Sequence, residues 1–552
     1  PKGGFYNKNE YKMLSYDFRL AATYNREFNE THILNSYAGA EVNSQERSSD
    51  WSEGWGMQYD NGELPFFDYL AFKRMRERNT NYYGVSNTVN RQIAFFATGT
   101  YSYKRRYTLT GTLRYEGSNR LGKARSARWL PTWNVATAWN MHEEEFFKKL
   151  QPAFSYLTLK ASYSLTADAG PTWVTNSRVV INSYNPWRPS AGVAESGLRI
   201  SDLENSSLTY EKKHELNIGV DMGFLDNRIN LAADWYKRNN FDLIGWTSTQ
   251  GAGGQVNRMG NVASMKSHGF EFTLSTKNIK NKGFEWSTDL IFGLSKTEVT
   301  ELNTRSFMFA LISGSGFTRE GYPHRGLFSI PFVGLDEQGF PIFEISDKNN
   351  EKVLVDKNNY GTLNFQEMEH LDFLKYEGPT DPTITGSFGN IFSIKNWKLN
   401  VFVTYSAGNK VRLDPVFRST YNDLDATPKD FKNRWRVPGD EKRTNVPAIS
   451  ARRHHQLYSN LNLGYNAYNY STVRVADGGF VRMKEISLTY SLPGSLLEGK
   501  LLKSASIKVQ ATNLFLIYSD KKLNGQDPEF FRSGGVSAPV PKQFTCTLRL
   551  GF

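Results

Sequence analysis

Alternation with a period of two runs through this sequence from end to end, and it excludes most of what a chain of 552 residues can fold into. Successive side chains of a β-strand point to opposite faces, so the pattern marks strands with one apolar and one polar face. Between positions 107 and 115 the odd residues are Tyr107, Leu109, Gly111, Leu113 and Tyr115, and the even ones are Thr108, Thr110, Thr112 and Arg114. The same rhythm sets Tyr16, Phe18, Leu20, Ala22 and Tyr24 against Asp17, Arg19 and Thr23, and it returns at Leu157–Leu165, Leu216–Phe224, Ile229–Trp235, Trp397–Tyr405 and Phe544–Phe552. Helical spacing explains none of these segments.

About 15 strands follow from this pattern, at 12–27, 32–42, 91–103, 107–116, 128–139, 154–167, 214–225, 228–238, 267–277, 284–296, 383–394, 397–407, 480–492, 505–515 and 544–552. Short polar turns join them in pairs at Asn29-Glu30, Lys104-Arg105, Asp226-Asn227, 281–283 and Lys395-Asn396, whereas the links between pairs are long. Residues 140–153, with Glu143 to Lys149, suggest a short helix, and 493–504 opens on Pro493-Gly494. Outer-membrane barrels carry this short-long rhythm, with tight periplasmic turns and long extracellular loops. A soluble sandwich gives no reason for it, and long structureless loops are rare in compact domains.

Composition agrees. Mean hydropathy is −0.54, and no stretch approaches the roughly 18 apolar residues of a transmembrane helix. Yet the chain holds 37 Phe, 29 Tyr and 12 Trp, more than a core of so modest an apolar fraction needs. A transmembrane β-barrel reconciles the two, because lipid covers one face of each strand and aromatic girdles sit at both interfaces. Tyr24, Tyr103, Trp139, Tyr163, Trp235 and Tyr405 suit such girdles, and Arg19, Arg114 and Lys160 suit a wet interior. Cys546, the single cysteine, permits no intramolecular disulfide and falls on the apolar face. Residues 1–30 hold no basic region followed by an apolar one, so no signal peptide is visible.

Direction follows from taking the last strand to end inside. The segments 43–90, 168–213, 239–266, 297–382, 408–479 and 516–543 then lie outside the cell, and their Trp51, Trp55, Trp173, Trp187 and Trp246 are candidates for stacking on sugars or gripping peptides. The same tracing makes the first strand run inward, which implies an odd number of strands upstream. An open edge in hydrocarbon leaves backbone groups unsatisfied at several kcal/mol each. The expectation is therefore an all-β, transmembrane antiparallel β-barrel of which residues 1–552 are the C-terminal part, completed by upstream sequence.

Several segments in order resemble a known family, the SusC/RagA-type TonB-dependent outer-membrane transporters of the Bacteroidota. They are Tyr107–Arg120 with Trp129-Leu130-Pro131, Leu157–Ala167, Leu208–Glu211 leading into Leu216–Asp221, Gly260–Met265 through Glu271, Glu320–Pro323, and Asn433–Trp435 with Pro438–Asp440. Asp477–Pro493, Thr512–Phe515, Asp527–Glu529 and Pro539–Pro541 complete the series. The resemblance implies a 22-stranded barrel with about 15 strands here, and a plug and first strands that this chain lacks. It implies TonB-driven uptake of oligosaccharides or peptides with a SusD-like surface lipoprotein as lid, a Gram-negative outer-membrane location, and no cofactor or catalysis. It also makes Phe552 the aromatic terminus presented to the barrel-insertion machinery.

Rival readings are weaker. No Gly-x-Ser-x-Gly elbow or His-Glu-x-x-His metal motif is present. His454 and His455 point to opposite faces if extended, Gly251–Gly254 lacks the Lys-Ser/Thr of a phosphate loop, and Asp423, Asp425, Asp527 and Glu529 read as loop turns before calcium ligands. A net charge of +12 invites nucleic acid, but the basic residues are scattered, so no nucleic-acid partner is expected. The serious alternative is a passive porin or structural barrel, since alternation alone does not separate it from a plugged transporter.

Overall fold

The computed structural model describes all residues except 1–3, 58–68, 79, 152, 172–178, 185–196, 251–256, 347–348, 350, 365–369, 418–428, 499–500 and 530–540. Fifteen strands form one sheet in which each strand hydrogen-bonds to its neighbours in chain order. They are Gly4–Phe28, His32–Met57, Tyr83–Tyr103, Tyr107–Ser118, Trp129–Asn140, Phe154–Asp168, Glu211–Phe224, Ile229–Ser248, Asn257–Lys280, Phe284–Leu302, Ile384–Ile394, Trp397–Ala407, Phe480–Ser491, Ser504–Ser519 and Gln543–Gly551. Each expected strand is there. The ladders from Gly4–Phe28 to Trp129–Asn140 and from Phe284–Leu302 to Gln543–Gly551 are antiparallel.

Several strands run far past their expected ends. Residues 43–57 and 83–90, expected as loop, continue two strands, and 239–248 and 257–266 continue two others. The reason is visible in Asn43 to Asp50, which is polar on both faces. A ladder that has left the lipid keeps its backbone bonds but has no apolar face to alternate with. Gly4–Phe28 has 25 residues, roughly 80 Å fully extended, where about 9–11 residues cross a bilayer.

Two compact units divide the chain: residues 1–139, 161–216 and 239–264, and residues 140–160, 217–238 and 265–552. Within the first, burial is inverted relative to a soluble sheet. Tyr107, Leu109 and Leu113 are 47%, 53% and 53% exposed, whereas Thr108, Thr110, Thr112 and Arg114 between them are half-buried. The polar face is knitted by hydroxyl pairs across the strands, Thr98 with Thr112 at 3.2 Å, Thr100 with Thr110 at 3.1 Å and Ser102 with Thr108 at 3.3 Å. Farther along it, Glu41 is shared by Arg19 at 3.1 Å and by Arg114, whose Nε also reaches Glu116 at 2.6 Å.

On the apolar face, Tyr107 stacks on Trp139 and Tyr115 stacks on Trp129, eight residues farther along the same strand pair. That spacing is ~26 Å along the strand and ~20 Å after a barrel strand's tilt, close to the height of the apolar band of an outer-membrane barrel. The two stacks therefore mark its two rims. At one rim the turn Tyr103 to Arg106 closes through the Arg106 N–H to the Tyr103 carbonyl at 3.0 Å, with Lys104 and Arg105 both at positive φ, 50° and 58°. That geometry continues the right-handed strand twist. The suggested helix at 143–149 is instead two 3-10 turns, Met141–Glu143 and Phe147–Leu150, anchored by the fully buried Phe147 on Phe154.

In the second unit the polar face repeats the theme, with Lys160 on Asp221 at 2.8 Å and Lys508 on Glu485 at 3.4 Å. Its main hydrophobic core is built by the two longest links, 303–383 and 408–479, from Met308, Phe328, Phe340, Phe343, Phe417 and Tyr468 among others. Arg412 crosses this lobe. It is 7% exposed and donates from Nε to the Ile312 carbonyl at 3.2 Å, from one Nη to Ser471 at 2.9 Å and from the other to Phe328 at 2.6 Å. Replacing Arg412 by Met strips three buried carbonyls of their donor, at about 1–3 kcal/mol each. The expected outcome is rapid proteolysis within 303–383 and 408–479 while the heat-modifiable gel mobility of the barrel is retained; a protease-resistant R412M lobe contradicts it.

Candidate functional site

The lobe formed by the two longest links is the candidate site in the second unit. Its three-stranded sheet, Phe332–Leu335, Pro341–Ser346 and Lys352–Val355, turns at Asp336, whose carboxylate accepts from the backbone of Gln338 and Phe340 and pairs with Lys357 at 2.8 Å. Against it lies the helix Leu461–Asn469, in which Leu461, Gly464, Tyr465, Tyr468 and Asn469 are buried. The spacing i, i+3, i+4, i+7, i+8 is one face of an α-helix. Gly464 is required by contact, since a Cβ there would meet the Tyr360 ring at 2.3 Å.

Tyrosines pin the lobe by their hydroxyls. Tyr360 donates to the Pro341 carbonyl at 2.6 Å and Tyr465 to that of Ala448 at 2.8 Å. Burial pushes the Tyr360 phenol far above its ordinary range and that of Tyr468 up to about 12, so both stay neutral. Burial likewise pushes the Arg412 guanidinium down, against the charge of Glu377, which holds it up. Arg474, nearly buried, binds Asp430 at 2.9 Å and the Asp414 carbonyl at 2.6 Å.

Beside the helix is a cavity of about 530 Å³ lined by Pro415, Phe417, Ser450, His455, Leu463 and Tyr470 together with Asn462, Asn466 and Asn469. Asn469 is committed to the fold, accepting from the Val416 and Phe417 N–H groups and donating to the Phe417 carbonyl. His455 Nε2 lies 2.9 Å from Ser450 Oγ. The combination of ring faces and amides can hold a neutral polar chain. His454 and His455 sit on the helix Arg452–Leu457, not on an extended segment. His454 Nδ1 accepts the Ala451 N–H, and burial, then Arg453, holds its pKa below the usual histidine value.

The tryptophans proposed from sequence separate into three groups. Trp55 is fully buried against Phe72 and Tyr82, a packing residue and not an open stacking face; its ring partners come from the long link that follows its strand. Trp51 and Trp246 are 40% and 54% exposed on the extended ends of their strands, and Trp51 lies across Gly84, where a Cβ would meet its indole nitrogen at 2.2 Å. Trp173 and Trp187 lie outside the described residues, as do Gly251–Gly254, Asp423 and Asp425. Asp527 and Glu529 are taken by Arg482, with both carboxylates at 2.6 Å, which ties the last long link to its strand. Cys546 and Phe552 are exposed at the last strand. Among the described residues no group of three or more His, Cys, Asp or Glu could hold a metal ion.

Sequence reading missed the lobe, although Leu461–Asn469 carries a legible helical period.

Comparison with known proteins fits this architecture. Residues 2–476 match the family model described as TonB dependent receptor-like, beta-barrel. TonB-dependent receptor P39 of Formosa agariphila is 25% identical over 572 residues, covering 95% of this chain and 51% of that protein. TonB-dependent receptor SusC of Bacteroides thetaiotaomicron is 25% identical over 486 residues, covering 86% of this chain and 44% of the relative. The structure of the RagAB peptide transporter superposes with a TM-score of 0.78 at 21% identity, over 99% of this chain and 56% of that one. The chain thus spans about half the length of the curated relatives it matches. It belongs to the TonB-dependent receptor family of outer-membrane β-barrels and is similar to members of its SusC/RagA type.

Proposed function

We propose that this chain is the C-terminal barrel portion of a non-catalytic, TonB-dependent importer that takes up oligosaccharides or peptides with a SusD-like lipoprotein as its lid. The observation that carries the reading is the folded lobe on the long links. A passive pore needs only short constricting loops, whereas here two links build a hydrophobic core, a buried arginine clamp and a polar-aromatic cavity. Such a rigid surface is suited to holding a ligand and a partner. SusC and RagAB are the relatives whose type supports this reading.

The barrel is completed by strands supplied upstream, together with the plug and the TonB-contacting segment. Supporting this, Gly4–Phe28 and Gln543–Gly551 stand at the two ends of the sheet, each with one neighbour, and nearly every residue of both is exposed. Strands in hydrocarbon need a partner on each side. Residues 1–552 expressed alone are therefore expected to fail insertion into outer membranes, and co-expression with the upstream segment to restore a heat-modifiable barrel; insertion of 1–552 alone as a stable species counts against this.

Trp51 and Trp246, and with them Trp173 and Trp187, remain the proposed ligand contacts. Alanine at Trp51 or Trp246 is expected to weaken capture about 5- to 30-fold, the scale of one exposed aromatic stacking contact of roughly 1–2 kcal/mol. Equilibrium binding on the full-length transporter reads this out, with unchanged affinity in both variants removing these residues from the site.

A further inference from the structure

The strand Tyr83–Tyr103 is paired on both sides only in part. Its partner on one side, His32–Met57, follows it from Tyr103 down to Tyr83 without a register shift. On the other side, Tyr107–Ser118 stops at Gln92. Asn119 adds one more rung: its N–H donates to the Arg91 carbonyl at 3.1 Å, its Oδ1 accepts the Arg91 N–H at 2.8 Å, and its Nδ2 donates to the Val89 carbonyl at 2.9 Å. These bonds fix the phase of the ladder. Residues with odd numbers turn their backbone groups to this side, because both groups of one residue in an antiparallel strand point the same way. Tyr83, Val85 and Asn87, and the Val89 N–H, therefore face an edge that has no strand beside it among the described residues.

Among the described residues this edge lacks the devices within a strand by which proteins protect free edges. Tyr83–Asn90 contains no Lys, no Pro and no bulge. Tyr83, Val85 and Val89 are 59%, 61% and 41% exposed, and alternate with Ser86, Thr88 and Asn90 on the opposite face. The strand Ser504–Ser519, whose pairing with Gln543–Gly551 reaches Thr512, shows the contrast among the described residues. There Asn513 takes a φ of 55°, and register shifts at Val481/Arg482 and Met483/Glu485 disturb the neighbouring ladder. Such bulges twist an edge away from pairing.

We propose that the edge Tyr83–Val89 captures an extended peptide by strand addition. Resting on the importer reading, this selects peptide over oligosaccharide as the ligand class at that edge. The chemistry decides between them. A row of N–H and C=O groups facing outward at every second residue, about 6.6 Å apart, is matched by another polypeptide backbone. A sugar chain has no such repeat of donors and acceptors. The backbone supplies affinity without regard to sequence, while the alternation of Val85 and Val89 with Ser86 and Thr88 favours a ligand alternating in polarity.

The test uses the full-length transporter in detergent and the octapeptide acetyl-Lys-(Thr-Val)3-Lys-amide, with two versions N-methylated at alternate residues in opposite phase. Strand addition requires one phase to abolish binding and the other to leave it intact, since only one row of amides faces the sheet. Asn87→Pro deletes an edge N–H without touching the ladder to His32–Met57, and is expected to weaken the octapeptide about tenfold. Equal binding of both methylated phases, undiminished binding by N87P, or displacement of the octapeptide by a linear maltooligosaccharide overturns the proposal. Uptake distinguishes this from failure of the importer reading: peptide bound in the expected phase but never taken up by TonB-competent cells defeats import and leaves the edge assignment standing.

Discussion

Backbone hydrogen bonding in a solvent that offers none of its own is the constraint on which this structure depends. Inside lipid a strand has to find a partner for its N–H and C=O groups, and the cheapest partner is the strand that precedes or follows it. The order of the fifteen strands obeys this without a single crossover. The same requirement explains the inverted burial. Once the ladder satisfies the backbone, side chains sort by face, with Leu109 and Leu113 out and the Thr100–Thr110 hydroxyl pair on the other side. Arg19 and Arg114 share Glu41 there, so both guanidinium charges have a nearby counter-charge.

The long links follow the opposite physics. The described residues of 303–383 and 408–479 pack as a water-soluble domain would, burying aromatic and aliphatic side chains around one core. Arg412 is the cost and the specificity of that packing. Its charge is taken out of water and compensated by three carbonyls from three separate stretches of chain, so the link containing Phe328 and Ile312 is registered against the one containing Ser471. Removing it leaves those three buried carbonyls without their donor, so the contacts that satisfy them also fix how the two links meet. Arg482 does the corresponding work for the last link through Asp527 and Glu529.

How much of this was legible follows from which solvent each segment meets. Lipid imposes a strict period of two, so all fifteen strands could be read from positions such as Tyr107–Tyr115. Where strands continue into water, as at Asn43 to Asp50, neither face has to be apolar and the period vanishes although the ladder persists. The lobe was hidden for another reason. Its core joins Met308 and Phe343 to Phe417 and Tyr468, residues separated by whole barrel strands, and no local pattern encodes such a contact. Trp55 was misjudged because its composition and place in a long link suit stacking on a ligand equally well; the neighbours Phe72 and Tyr82 that cover it are a fact of folding.

These two regimes meet along the protruding strands. In hydrocarbon a free edge is prohibitive, whereas in water it costs little, because solvent completes the hydrogen bonds. Extending some strands farther than their neighbours therefore creates free edges without a large loss of stability, and makes their chemistry available for selection. A ladder that must be complete in lipid can be left incomplete above it. The chain treats its strands differently: Asn513 and its adjoining bulges distort one, while Tyr83–Val89 is left plain and in register. A plain edge held straight by a full ladder on its other side is preorganised, since the receiving strand has no conformational freedom left to lose when a second backbone joins it.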